Sequence, residues 1–289
     1  MTSVLPDRIV ARAHRATDPL HSLIYFVPEA DEEFVAVGLR PGRMGYFASR
    51  SASMGAVSAG VVTATFHNFK PSLVAHFIPR AWTLADPHTI IDARFRAVDR
   101  ALRRLLGEDA IASAEFGELA ELARIACSEL PPDGRPLYAA HAELAWPDEP
   151  HLAFWHAASL LREYRGDGHI AVLQTAGLSG LDAIVTHTAT GYGFTEPAAK
   201  LLRGWTDEEW AAARAGLVER GLMDGAGLTE EGVAQRKQIE DDTDRLDTAA
   251  WLTLGADRTA RLIELGKKFV VVAAMNGAYP PEVFGNSAG

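Results

Sequence analysis

Arg220-Gly221-Leu222-Met223-Asp224-Gly225-Ala226-Gly227-Leu228-Thr229-Glu230-Glu231-Gly232 reads as a helix stop, a short strand, a glycine-rich hairpin, a Leu-Thr strand and a new helix start. The segment before it opens with Thr206-Asp207-Glu208-Glu209, a capping box. There the Thr hydroxyl can accept from the third helical N–H while the Glu reaches back. An apolar-periodic helix then runs to Arg220. Helix, hairpin, helix in that order is the pattern of a winged helix-turn-helix.

Outward from this stretch nearly everything reads as helix. Pro28 to Val37 begins with Pro-Glu and carries Asp31, Glu32 and Glu33, which suits the positive end of a helix dipole. Pro71–Ile78 is a short apolar helix. From Pro87 to Leu106 the residues Ile90, Ile91, Phe95, Val98, Leu102 and Leu106 form a stripe. Arg94, Arg96, Arg100, Arg103 and Arg104 make its other faces basic. Ser113 begins a further helix to Leu130, and Pro131-Pro-Asp-Gly-Arg-Pro136 is the strongest breaker cluster. His151 to Arg165 is the next helix, with Gly166-Asp167-Gly168 as its stop and a new helix from His169.

No strand-period segment is long enough for a sheet, so the expected fold is mainly α. Two packed helical halves are expected, 1–130 and 137–289, with a degenerate winged helix-turn-helix at about 168–246. An internal duplication is suggested by two matches. Gly60…His67 resembles Gly180…His187, and Arg80-Ala-Trp-Thr83 resembles Arg203-Gly-Trp-Thr206, at offsets of 120 and 123.

The 289 residues are 48% hydrophobic and 23% charged, which excludes a disordered chain or a disulfide scaffold. One cysteine, Cys127, allows neither an internal disulfide nor a cysteine-based zinc site. The net charge of -10 disfavours a large nucleic-acid or anionic-membrane footprint. Met1–Arg8 lacks a basic-then-apolar signal and no run suits a membrane span, so a cytoplasmic, membrane-free protein is expected.

Several stretches carry a family likeness: Tyr25-Phe-Val-Pro-Glu-Ala30, Val61-Val-Thr-Ala-Thr-Phe-His-Asn-Phe69, Trp146 to His156, Leu160 to His169, Gly204 to Trp210, and Thr243-Asp-Arg-Leu246. On these the chain resembles an actinobacterial helix-turn-helix family of mostly uncharacterised proteins. The resemblance implies a helical fold with a winged-helix element and brings no reaction with it.

Two clusters are candidates for chemistry. On the 151–165 helix, His156 and Glu163 are seven residues apart and share a face, with Arg162 and His169 nearby. A histidine and a carboxylate on one face suit proton transfer or ligand contact, and would equally serve as a buried polar network. Arg162 is expected to partner Glu163 or an anionic ligand group; adjacent helix positions diverge, which favours the ligand. The second cluster is His67 and Asn68, at the end of a helix expected to be almost wholly buried. Tyr46 and Arg50 lie just upstream as further lining. His67, Asn68, His156, Glu163 and His169 are expected to share one cavity between the halves. No compact metal motif, Walker loop or nucleophile elbow occurs, so no metal is expected; cofactor and catalysis stay open.

The function expected is binding of a small polar or anionic molecule, with or without turnover. A ligand-responsive DNA-binding regulator is the alternative. From Thr206 to Asp247 there are 12 acids and 5 bases, so DNA contact through 206–220 is not expected. The basic helix 87–106 remains the place where DNA could bind. Homodimer formation through the winged element stays open.

Overall fold

The computed structural model describes residues 5, 6, 8–280 and 284. Among the described residues ten helices run from Ile9 through the long central one. These are α1 (Ile9–Ser22), α2 (Pro28–Ala36), α3 (Arg43–Ser51), α4 (Ala59–Phe66), α5 (Pro71–Phe77), α6 (Pro87–Leu106), α7 (Glu108–Ile111), α8 (Ala114–Cys127), α9 (Pro136–Ala142) and α10 (Pro150–Thr175). Six follow: α11 (Gly180–Thr188), α12 (Glu196–Arg203), α13 (Asp207–Glu219), α14 (Glu230–Leu246), α15 (Thr248–Leu254) and α16 (Ala256–Met275). Among the described residues, β structure is limited to isolated bridges, so the fold is mainly α. None of the described helices is long and apolar enough to cross a membrane.

The local signals act as expected at several ends. Thr206 and Glu209 form the reciprocal capping box of α13, and Ser113 caps α8. Between α13 and α14, Met223 bridges Leu228, and the Asp224 carboxylate accepts the N–H groups of Ala226 and Gly227 at 2.7 and 3.0 Å. The hairpin expected there is therefore reduced to a single bridged pair.

Two hydrophobic cores form, but their division differs from the one expected. The larger holds Phe47, Phe69, Phe116, Phe154, Trp155 and Trp251, drawn from both sides of Pro131–Pro136. That breaker is thus a turn within one body and does not separate halves. α15 and α16 return to this body, and α16 lies tightly on α1: a Cβ at Gly266 would stand 2.4 Å from the Ala16 carbonyl oxygen. The smaller core gathers Leu173, Ile184, Trp210, Leu217 and Ile239 from the end of α10 and from α11–α14.

α10 joins the two cores because it does not stop at Gly166-Asp167-Gly168, contrary to expectation. It runs unbroken for 26 residues. Two glycines inside a helix cost about 1 kcal/mol each relative to alanine, and the surroundings explain one of them. A Cβ on Gly168 would lie 2.6 Å from the Arg135 guanidinium, which crosses α10 to donate to the carbonyls of Tyr164 and Leu246. Asp167 accepts the N–H groups of Leu137 and Tyr138, both at 3.0 Å, at the start of α9. The small residues are a crossing point rather than a terminus.

The basic helix α6 lies against acidic α2. Arg96 and Arg100 pair with Glu33 at 2.9 Å, Arg100 also with Glu32 at 2.6 Å, and Arg104 with Glu29. Arg103 pairs with Asp99 and Glu108, while Arg94 is buried against the Ser49 carbonyl and His141. The five arginines read as a basic surface thus meet carboxylates or the interior. His67 follows α4 as its cap at positive φ, whereas His187 lies inside the last turn of α11, so the two histidines take different positions.

Candidate functional site

Between the larger body and the α11–α14 unit lies a cleft of about 580 Å³. It is within the volume range of small-molecule sites, about 300–1,000 Å³. Its walls come from α1, α3, the α4–α5 turn, α10, α11, α12 and α14.

The α4–α5 turn is the most constrained wall. His67 ends α4 at φ 55°, ψ −56°, a region costly for any residue with a Cβ. Its carbonyl faces the start of α11 so closely that a Cβ on Gly180 would come within 1.9 Å. Only glycine fits there. The next residues clasp the α11–α14 unit: Trp205 Nε1 donates to the Asn68 carbonyl at 3.0 Å, and the Lys70 N–H donates to the Arg203 carbonyl at 3.0 Å. Lys70 also pairs with Glu209 at 2.6 Å. α4 itself buries only Val62, Thr65 and Phe66, with Val61 exposed, so it is less interior than its composition suggested. The His67 Nε2 and Asn68 Oδ1 atoms are buried with no hydrogen-bond partner among the described residues.

Opposite stands a buried ion cluster. Arg50, from α3, donates to both oxygens of Glu163 on α10, at 2.9 and 2.7 Å. Arg162 Nη1 reaches the same carboxylate at 2.9 Å and its Nε lies 3.5 Å from Asp18. The expected divergence of Arg162 and Glu163 is therefore not seen: the long arginine folds back over one residue. Burial would raise the Glu163 pKa, but Arg162 and Arg50 outweigh it and hold the carboxylate well below its ordinary value. Tyr46 accepts from Arg50 Nη1 at 3.2 Å. Burial acts to raise its phenol, yet the guanidinium groups of Arg50, Arg203 and Arg162 hold it below the ordinary value.

His169 lines the far end of the cleft. Thr243 gives its hydroxyl proton to the Ile239 carbonyl at 2.7 Å, so His169 Nδ1 must donate in the 2.8 Å contact between them. The ring is then neutral with a bare Nε2. Its pKa falls to about 3 through burial, with Arg236 and Arg165 adding to the effect.

Seven of the eight residues singled out from sequence (Tyr46, Arg50, His67, Asn68, Arg162, Glu163 and His169) line this cleft, and His156 does not. It is 1% exposed and packs on Trp146 and Phe95, beside a void of about 10 Å³ shared with Arg94 and His141. Seven residues put it on the Glu163 stripe but about 10 Å along the axis, where α6 closes over α10. A shared helical face did not mean a shared cavity.

The sequence reading missed Arg203 and His187, which also line the cleft. The signal was present in Arg203-Gly-Trp-Thr206, read only as a repeat. The Arg203 side chain lies over the rings of Phe69 and Phe194, at 4.3 and 5.1 Å, and makes no hydrogen bond or ion pair among the described residues. Among the described residues no three His, Cys, Asp or Glu side chains are grouped to hold a metal ion.

The fold and cleft define a mainly helical protein in which the α11–α14 unit is docked on a larger helical body. The model of a helix-turn-helix family matches residues 10–280, and the chain belongs to that family. No curated protein and no solved structure shows a significant match to it.

Proposed function

We propose that this protein binds a small polar or anionic molecule in the cleft between its body and its helix-turn-helix unit. One observation carries the reading: His67 Nε2 and Asn68 Oδ1 are buried, unpartnered and on the same cleft wall. Each unmet buried group costs about 1–3 kcal/mol, and His67 adds backbone strain. A ligand that bonds to both groups would offset this cost.

In the same reading the winged helix has lost DNA binding. α13 opens with Asp207, Glu208 and Glu209, and its outward residues include Ala211, Ala212, Ala215 and Glu219. Its basic residues Arg214 and Arg220 are engaged with the Asp224 carbonyl and with Asp182. The ligand-responsive regulator is favoured by the family and by Arg203 and Trp205, which link the helix-turn-helix to the cleft wall.

The test is a two-dimensional amide NMR screen of the whole chain against a panel of charged and neutral metabolites, followed by a duplex-DNA titration. Saturable shifts around 66–69 and 162–169, lost in Asn68→Ala, are expected. Duplex should bind no more tightly than about 10⁻⁶ M at physiological salt. Hits confined to other surfaces would refute the cleft, and tighter binding that weakens in Arg214→Ala would favour the regulator.

A further inference from the structure

We propose that Arg203 anchors a carboxylate or phosphate group of the cleft ligand, so that the bound anion ties the helix-turn-helix unit to the body. The proposal rests on the binding reading above and deepens it by naming the group recognised.

Arg50 and Arg162 share Glu163, and Arg162 has Asp18 as well. Arg165 is matched by Asp244 and Glu240, and Arg236 by Glu240. Among the described residues Arg203 has no carboxylate partner, and its Nε is buried without a hydrogen bond. Burial pushes its pKa down to about 10; Tyr46 opposes this, and Arg43, Arg50 and Arg162 add repulsion. A cation left in this state is unfavourable unless an anion completes it.

Geometry supports the anchor. Phe69 covers one region of the guanidinium while Phe194 lies farther off. Stacking of this kind leaves the N–H edge free, and that edge matches a carboxylate or phosphate bidentately. Arg203 is carried by α12, whereas Tyr46, Arg162 and the His67–Asn68 wall belong to the body. An anion between them touches both units. The volume of about 580 Å³ accommodates more than a bare ion.

Thermal unfolding of the full chain at constant ionic strength tests this, with sodium phosphate, sodium benzoate and neutral benzamide as probes. The wild type should gain melting temperature saturably with phosphate or with benzoate, and which one does so distinguishes the two anions. Arg203→Met should melt higher than wild type without anion and bind the anion at least about tenfold more weakly. Arg214→Met, half-buried on α13 and outside the cleft, should respond to the anions like wild type. If benzamide stabilises as well as benzoate and Arg203→Met keeps the effect, the cleft reading stands and the anchor is refuted. The anchor is also refuted if Arg203→Met melts lower without anion, which marks a structural cation, or if neither anion stabilises the wild type.

Discussion

At the scale of single residues, two glycines two positions apart in α10 have opposite roles. Gly168 lies under the Arg135 guanidinium at a distance no Cβ would tolerate, whereas a Cβ on Gly166 would have its nearest neighbour, Glu163 Oε2, at 3.7 Å. Gly168→Ala should therefore destabilise the protein by about 1–3 kcal/mol through overpacking. Gly166→Ala should stabilise it by up to about 1 kcal/mol, since alanine is the better helix former. Urea unfolding of the two variants checks this, and equal effects would contradict the crossing-point account. Neither role could be read from Gly-Asp-Gly alone, because Arg135 reaches Gly168 from 33 positions away in the chain.

Among elements, capped helix starts were legible, while the end of α10 and the helix faces were not. The capping box at Thr206 is local chemistry and forms as expected. Thr206→Ala should cost about 1 kcal/mol, expressed at the start of α13. Hydrogen exchange should show faster exchange of the Glu209 and Trp210 amides, with the α8 amides unchanged; uniform loss of protection would place the effect elsewhere. By contrast, the arginines of α6 looked like a solvent-facing basic surface because periodicity does not reveal which helix lies opposite. α2, with Glu29, Glu32 and Glu33, occupies that face.

For the whole molecule, the buried histidines set the pH response. Burial lowers His141 and His169 to about 3, and His14 and His156 to about 4. Folded values below the unfolded ones mean that stability is complete above about pH 6.5 and lost on acidification. Asp167 and Asp247 act oppositely: burial raises them to about 6 and about 7, so their ionisation costs stability as pH rises. His21, His67 and His187 are lowered by burial as well, so the histidines outweigh the two carboxylates and the unfolded chain binds at least about two more protons near pH 5, a loss of at least roughly 3 kcal/mol per pH unit. Denaturant unfolding at pH 7, 6 and 5 measures that slope, and a flat or rising stability would refute it. What the sequence alone determined is set by neighbours in the chain: helical periodicity, caps, the hairpin turn and the acidity of α13. The tertiary structure alone decided that α15 and α16 join the larger body, that His156 is sealed away from Glu163, and that Arg203 enters the cleft unpaired. Those outcomes depend on which surfaces meet across the fold, and a residue's partner there is chosen by packing between distant segments that no local pattern encodes.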